Sequence, residues 1–329
     1  MRRHILKRCL IAVVTVLVTI IFVLVRLLPG DPFSSEKTNE AIKEKMMAYY
    51  SLDKPPIEQW FTYIKNLLKG DLGVSLKYPG RTVNSVIAQT FPFSASFGAR
   101  SIILALVAGL FLGTLTAQHA RRVLDYICVL IAVIGVSMPD FIIGTLLQFV
   151  FAIKLKWLPA GQWMSFKYTI LPVFVLSLYT LSLVTRLMRS SMMEVINQDY
   201  IMTARAKGLS KFEIIWRHEI RNAILPIVTT MGPLTAAVLT DTIVLEKIYA
   251  VPGIGKFYVQ SINDLDYNMV LGMTFFYGVF LVTANLIVDV LYGLIDPRIK
   301  LAGGGSRRRK SRPEAEAEIK SEGGAADGK

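Results

Sequence analysis

Six stretches of the chain, approximately residues 9–28, 94–117, 124–152, 169–188, 225–246 and 269–295, are each apolar over roughly 20 residues or more. A helix of that length crosses about 30 Å of hydrocarbon, where only helices and closed barrels satisfy their own backbone polar groups. The pattern predicts an all-α integral membrane protein with six transmembrane helices. Composition agrees, since 53% of the 329 residues are hydrophobic and only 19% charged, too apolar a balance for an ordinary soluble domain. The first stretch follows "MRRHILKR". It exceeds a signal-peptide core and no small-x-small cleavage pattern follows it, so it is expected to stay as an uncleaved anchor.

Charge sets the expected orientation. With the N-terminus in the cytoplasm, 22 of the 37 Lys and Arg fall on the inner side and 13 on the outer, 8 of them in one long outer loop that counts for little. Arg26 and Arg100 fall near the outer ends of the first two spans, where long side chains reach water. Both termini are therefore expected inside. The formal net charge of +13 reflects cytoplasmic loops and not a nucleic-acid partner. The expected divisions are a cytoplasmic N-terminus 1–8, a six-span transmembrane domain 9–301 with an outer loop 29–93 and an inner loop 189–224, and a tail 302–329. The tail carries "RRRK" and little large apolar side chain, so it reads as disordered, with its basic cluster in reach of anionic lipid.

The inner loop holds "EVINQDYIMTARAKGLSKFEIIWRHEIRNAILP". Its first helix stops at Gly208, a residue able to take the left-handed C-terminal position. Ser210 and Glu213 then have capping-box spacing, and Phe212, Ile215, Trp216, Ile220 and Ala223 fall on one helical face. The reading is a helix–Gly–helix elbow. A DNA-binding helix-turn-helix is excluded because a loop of this length, tied at both ends to spans, has no room for a supporting third helix. An elbow lying on lipid headgroups is a weaker alternative to one docked on a cytoplasmic protein.

Catalytic and metal signatures fail. His4, His119 and His218 are far apart, and Cys9 and Cys128 make neither a disulfide framework nor a ligand cluster. "GIGKF" is not a phosphate loop, because Ala250 stands where the leading glycine is needed and Phe257 where Ser or Thr is needed. No intramembrane-protease motif occurs. A channel or secondary transporter would fit composition alone, but neither needs an elbow that docks a protein.

The elbow "YIMTARAKGLS…RHEIRNAILP" resembles the coupling loop of the membrane subunits of ABC importers, in the form typical of the peptide and nickel branch. Five further motifs follow in family order: "LLPGDPF" (27–33), "LDKPPIEQWFTYIKNLLKGDLGVSLKY" (52–78), "WLPAG" (157–161), "YAVPGIG" (249–255) and "NLIVDVLYGLIDPRIK" (285–300). The wording is most similar to the first of the two membrane subunits of oligopeptide permeases. Met202 stands where the general importer motif opens on an acid, and Pro226 lies farther from Gly208 than in sugar importers; both departures are usual in the peptide branch.

The resemblance implies a type I ABC importer permease fold in the cytoplasmic (inner) membrane of a bacterium. It implies a second permease subunit, two ATPase subunits or domains that use ATP and Mg, an extracytoplasmic peptide-binding protein, and no cofactor or catalytic residue in this chain. The cargo implied is oligopeptide, with nickel or another small solute of the branch as the alternative. Carried over position by position, ATPase coupling falls on Tyr200, Thr203, Ala204, Arg205, Ala206 and Gly208. Binding-protein docking falls on Asp71, Gly73, Pro252, Gly253 and Gly255. Pro29, Pro32 and Pro252 with their glycines also serve simply to stop helices at the membrane surface. Asn285 and Asp289 are four apart on one face of the last span and read as helix-to-helix hydrogen bonders. Asp140 lies near the middle of the third stretch, where a carboxylate costs about 3 kcal/mol unless it faces protein or water. It reads either as a translocation-path residue or as a structural partner of another helix, unless the span boundary is misplaced. Asp241 is expected near the outer end of the fifth stretch.

Overall fold

The computed structural model describes residues 19–24, 53–78 and 80–295. Residues 1–18 with His4 and Cys9, Arg26, the 27–33 motif, the side chain of Asp289 and the tail 302–329 lie outside the described residues. The chain divides into two compact units, Met1–Val288 and Asp289–Lys329. The helix bundle belongs to the first.

Helix α1 (Pro56–Leu68) lies in the expected outer loop. Then come α2 (Val83–Gln118), α3 (Val123–Ser137), α4 (Asp140–Leu147) with a π-helical continuation Gln148–Lys154, and α5 (Phe166–Ile196). The elbow contains α6 (Asp199–Ala206), α7 (Lys211–Ile214), a π-helical turn Ile215–Glu219 and α8 (Ile220–Ala223). The chain continues through α9 (Leu225–Thr240), α10 (Ile243–Ile248), α11 (Ile254–Asn263) and α12 (Tyr267–Ile295). Among the described residues there is no strand, only an isolated antiparallel bridge between Val74 and Thr82.

Helices α2 and α5 form the centre of the bundle. Gly109 and Gly113, one turn apart on α2, let the backbones approach. A β-carbon at Gly109 would lie 2.8 Å from Val184 Cγ1, and one at Gly113 would lie 2.6 Å from Met188 Cβ and 2.7 Å from the Thr185 carbonyl oxygen. Small residues at this spacing suit a membrane, where close packing rather than expulsion of water holds helices together. Since 109 meets 184 and 113 meets 188, the two helices run parallel. Helix α3, which lies between them in the chain, runs antiparallel to α5, with Gly135 against Ser182 and Asp125 paired to Arg189 (Nε to Oδ1, 2.7 Å).

Among the described residues, three helices are long and apolar enough to cross a membrane: Val83–Gln118, Phe166–Ile196 and Tyr267–Ile287. They contain the second and fourth stretches and most of the sixth. The third stretch is not one span-length helix. Helix α3 and the arm that starts with α4 meet at a bend of 111°. Pro139 lacks an amide hydrogen and disfavours helical backbone in Met138, whose φ and ψ of −100° and 134° are extended. The fifth stretch is likewise divided, between α9 and α10. Of the first stretch, residues 19–24 are described and helical. There Trp60 Nε1 donates to Thr19 Oγ1 (3.0 Å), and Phe22 packs with Val270 and Leu271.

Candidate functional site

The elbow sits at the Gln118 end of α2. Helix α6 closes with the Gly208 amide donating to the Arg205 carbonyl (3.0 Å) and the Leu209 amide to the Ala204 carbonyl (3.4 Å). This is the paired bonding of a left-handed helix stop, and Gly208 carries the φ of +75° it requires. Ser210 Oγ accepts from the Glu213 amide (3.3 Å) as expected. The reciprocal half of the capping box does not form, because Glu213 instead accepts from Arg217 Nη1 at 2.7 Å.

Beyond that cap the residues expected on one face divide: Ala223 is buried, Ile215 and Ile220 are partly buried, and Phe212 and Trp216 are exposed. Phe212 and Trp216 are 76% and 65% exposed, while Ile214, Glu219 and Ala223 are buried. The five-residue step from Ile214 to Glu219 belongs to the π-helical turn, which rotates the face away from the 3.6-residue pattern assumed for a regular helix. Of the six residues expected to couple, Tyr200, Thr203, Arg205, Ala206 and Gly208 are exposed. Ala204 is not: it is buried with Ile201 and Ile214 in the elbow's own small core, so its place is internal packing.

Sequence reasoning missed Glu219. Its carboxylate accepts from Gln118 Nε2 at 2.5 Å, tying the elbow to the end of α2. Burial raises its pKa above the ordinary glutamate range, and Gln118, Arg205 and Lys211 pull it partly back. Next to it, Ala223 and Ile227 pack on Met188, Met192 and Ala117. These contacts join the elbow to the central helix pair.

At the far end of α2 the segment that precedes Val83 is fastened to α11 and α12. Asp71 Oδ1 accepts from the Gly73 amide (2.9 Å), closing a turn in which Gly73 has φ of +96°. Asp266, fully buried, accepts from the Leu76 amide (3.1 Å), the Ser75 hydroxyl and the Met269 amide (3.2 Å), so one carboxylate caps α12 and holds residues 75–76. Its place three residues before Met269 is a legible cap signal; its second partner, about 190 positions away, is not. Tyr78 donates to Asp264 (2.9 Å), and burial together with that bond raises its pKa.

The glycines of "VPGIG" are internal. Gly253 and Gly255 are buried, and a β-carbon on Gly253 would overlap the Glu246 carboxylate, while one on Gly255 would lie 2.7 Å from Ile243 Cα. That space lets buried Glu246 accept from the Gly255 and Lys256 amides (2.8 and 3.3 Å) at the positive N-terminus of α11. Asp71 is exposed, Gly73 and Pro252 are part-exposed.

Asp140 is not mid-helix. It is the first residue of α4, just past the bend, and lines a cavity of about 450 Å³ with Asp241, Tyr179, Thr180 and Leu234. Asp241, at the C-terminal cap of α9, opens on that same cavity rather than standing apart. A second cavity of about 390 Å³ shares Leu234 and is lined by Arg186, Ser190 and Thr230. Polar groups thus recur along one side of α5 and α9.

Comparison with known proteins is consistent with this architecture. A family model described as "Binding-protein-dependent transport system inner membrane component" matches residues 109–301. The chain is 45% identical over 304 residues to a dipeptide transport system permease protein of Bacillus subtilis, covering 92% of this chain and 99% of that protein. It is 41% identical over 305 residues to an oligopeptide transport system permease protein of Salmonella typhimurium, covering 91% and 100%. The solved MetNI methionine ABC transporter, in inward-facing conformations, matches with a TM-score of 0.51 and 16% identity over 64% of this chain and 94% of that one; an amino acid ABC transporter also matches with a TM-score of 0.51, at 13% identity. At such identity the likeness concerns the fold.

Proposed function

The chain belongs to the family of binding-protein-dependent transport system inner membrane components, and from that premise we propose that it is the permease subunit through which an ATP-driven importer passes oligopeptides. It is a membrane-embedded, non-catalytic subunit. In the proposed assembly it pairs with a second permease subunit and two ATPase subunits or domains that bind ATP and Mg. An extracytoplasmic binding protein delivers the cargo. Both termini and the elbow face the cytoplasm, in keeping with the distribution of Lys and Arg.

The observation that carries this reading is the elbow. It has its own core and a stiff left-handed stop, yet Tyr200, Met202, Phe212 and Trp216 are exposed on its surface. Aromatic side chains left uncovered outside the spans mark a protein-binding surface. Closure of the ATPases on ATP would move this surface, and the Glu219–Gln118 bond and the Ala223–Met188 packing would pass the movement to α2 and α5. The bundle then alternates between outward- and inward-facing forms. Asp140 is assigned to the translocation path. The turn at Asp71 and Gly73 and the part-exposed Pro252 contribute to the binding-protein dock, with Gly253 and Gly255 shaping it from beneath. Nickel, the alternative cargo, has no observation in its favour: among the described residues no three His, Cys, Asp or Glu gather to hold a metal ion.

Gly208→Glu tests the coupling assignment. A β-carbon at Gly208 meets nothing within 4 Å, so within this subunit the change costs only left-handed strain, about 1–2 kcal/mol. Docked on an ATPase, the same side chain collides. Labelled-peptide uptake should fall at least tenfold with membrane abundance retained, and Trp216→Asp should weaken co-purification with the ATPases. Normal uptake by Gly208→Glu at normal abundance would sink the assignment.

A further inference from the structure

We propose that the two cavities between α5 and α9 form a dipolar site that reads both ends of a short zwitterionic peptide, its ammonium held by Asp140 and Asp241 and its carboxylate by Arg186. The inference rests on the peptide-import reading and names how that cargo is held.

The acids come first. Asp140 and Asp241 line one cavity, and among the described residues neither makes a hydrogen bond or ion pair with another side chain. A carboxylate at membrane depth is expensive, and such residues face a partner or a path. Asp241 also stands at the C-terminus of α9, where the helix's last carbonyls carry partial negative charge. A cation placed there meets two carboxylates and a favourable helix end at once.

A second observation is independent of the charges. Thr180, 1% exposed, lines the same cavity, and its hydroxyl has no hydrogen-bond partner. An unmet buried hydroxyl costs about 1–3 kcal/mol. A peptide amide or ammonium reaching into the cavity would meet it.

Spacing then selects the class of ligand. Arg186 lines the adjoining cavity, shares Leu234 with the first, and has no ion-pair partner among the described residues. It lies six residues beyond Thr180 on α5, roughly 9 Å along the axis. Three extended residues span at most about 10 Å. A tripeptide with free ends therefore matches the axial step from Thr180, in the cavity of the acids, to Arg186, while a peptide blocked at either end loses one charged contact.

The test uses the whole transporter in proteoliposomes, with each cargo presented on saturating binding protein. The cargoes are a neutral tripeptide, its N-acetylated form, its C-terminal amide, and an N-acetylated peptide carrying one lysine. The wild type is expected to favour the free tripeptide over each blocked form by about tenfold, the scale of one charge-assisted hydrogen bond. The double change Asp140→Asn with Asp241→Asn should abolish preference over the acetylated form alone. Arg186→Gln should abolish preference over the amide alone, and Asp140→Glu should restore most of the first preference. Uptake of the acetylated lysine peptide as low as that of the acetylated tripeptide supports recognition of the terminal ammonium, and its recovery to the level of the free tripeptide overturns it. Wild-type uptake with ratios unchanged in all variants, at matched abundance, overturns the dipolar site and leaves the import reading standing. Failure of the wild type to import any peptide overturns both.

Discussion

At Gly113 a hydrogen atom is the side chain because Met188 and the Thr185 carbonyl occupy the place of a methyl group. With Gly109 one turn earlier, it brings α2 onto α5 over a close-packed interface, and no hydrophobic effect is available in lipid to replace that packing. Gly113→Val should therefore lower stability by about 1–3 kcal/mol, read as a lower melting temperature of the detergent-solubilised complex. Gly278→Ala, where an added β-carbon meets nothing within 4 Å, should change stability by no more than about 0.5 kcal/mol. Equal losses at the two positions would remove Gly113 from the packing argument.

The elbow behaves as a single element because its π-helical turn turns Glu219 inward to Gln118. The buried carboxyl has a pKa raised above the ordinary value of 4.5, with burial the largest cause. Its stabilising contribution is accordingly complete below pH 4.5 and is lost as pH rises through the folded value. Glu219→Gln keeps an acceptor for Gln118 and cannot ionise. The difference in melting temperature between wild type and Glu219→Gln should shift in favour of the glutamine form as pH rises above 4.5. A difference flat across that range would show that the carboxyl is not desolvated in the assembled complex.

Across the molecule, α2 joins two working ends about 54 Å apart: the elbow at Gln118 and the outer cap at Val83. Asp266 is the fastening of the outer end, since one buried carboxylate serves both the N-terminus of α12 and residues 75–76. Asp266→Ala strands the Leu76 and Met269 amides, each costing about 1–3 kcal/mol if kept buried. Amide exchange at residues 75–77 should quicken, and stimulation of ATP hydrolysis by loaded binding protein should fall, while exchange in α6 stays slow. Equal loosening of both ends would mean that the outer cap does not open independently.

What the linear chain settled is local or set by the solvent. Runs of apolar residues choose a membrane whatever they later touch, Gly208 accepts a left-handed turn whatever follows, and the spacing of "TARAKG" places a short helix ahead of that turn. Pro139 accounts for a break in the helix, but the size of the bend, 111°, depends on where α4 finds its neighbours. The tertiary structure alone decided which distant residues meet: Gln118 with Glu219 across 101 positions, Ser75 with Asp266 across 191, and Asp140 with Asp241 in one cavity. It also set which side chains beyond α7 turn inward, Glu219 among them, because a single π-helical turn shifts every later side chain by more than a quarter of a revolution while leaving composition untouched. Periodicity counts residues along a regular helix; burial depends on the helix that forms, and that is chosen by packing.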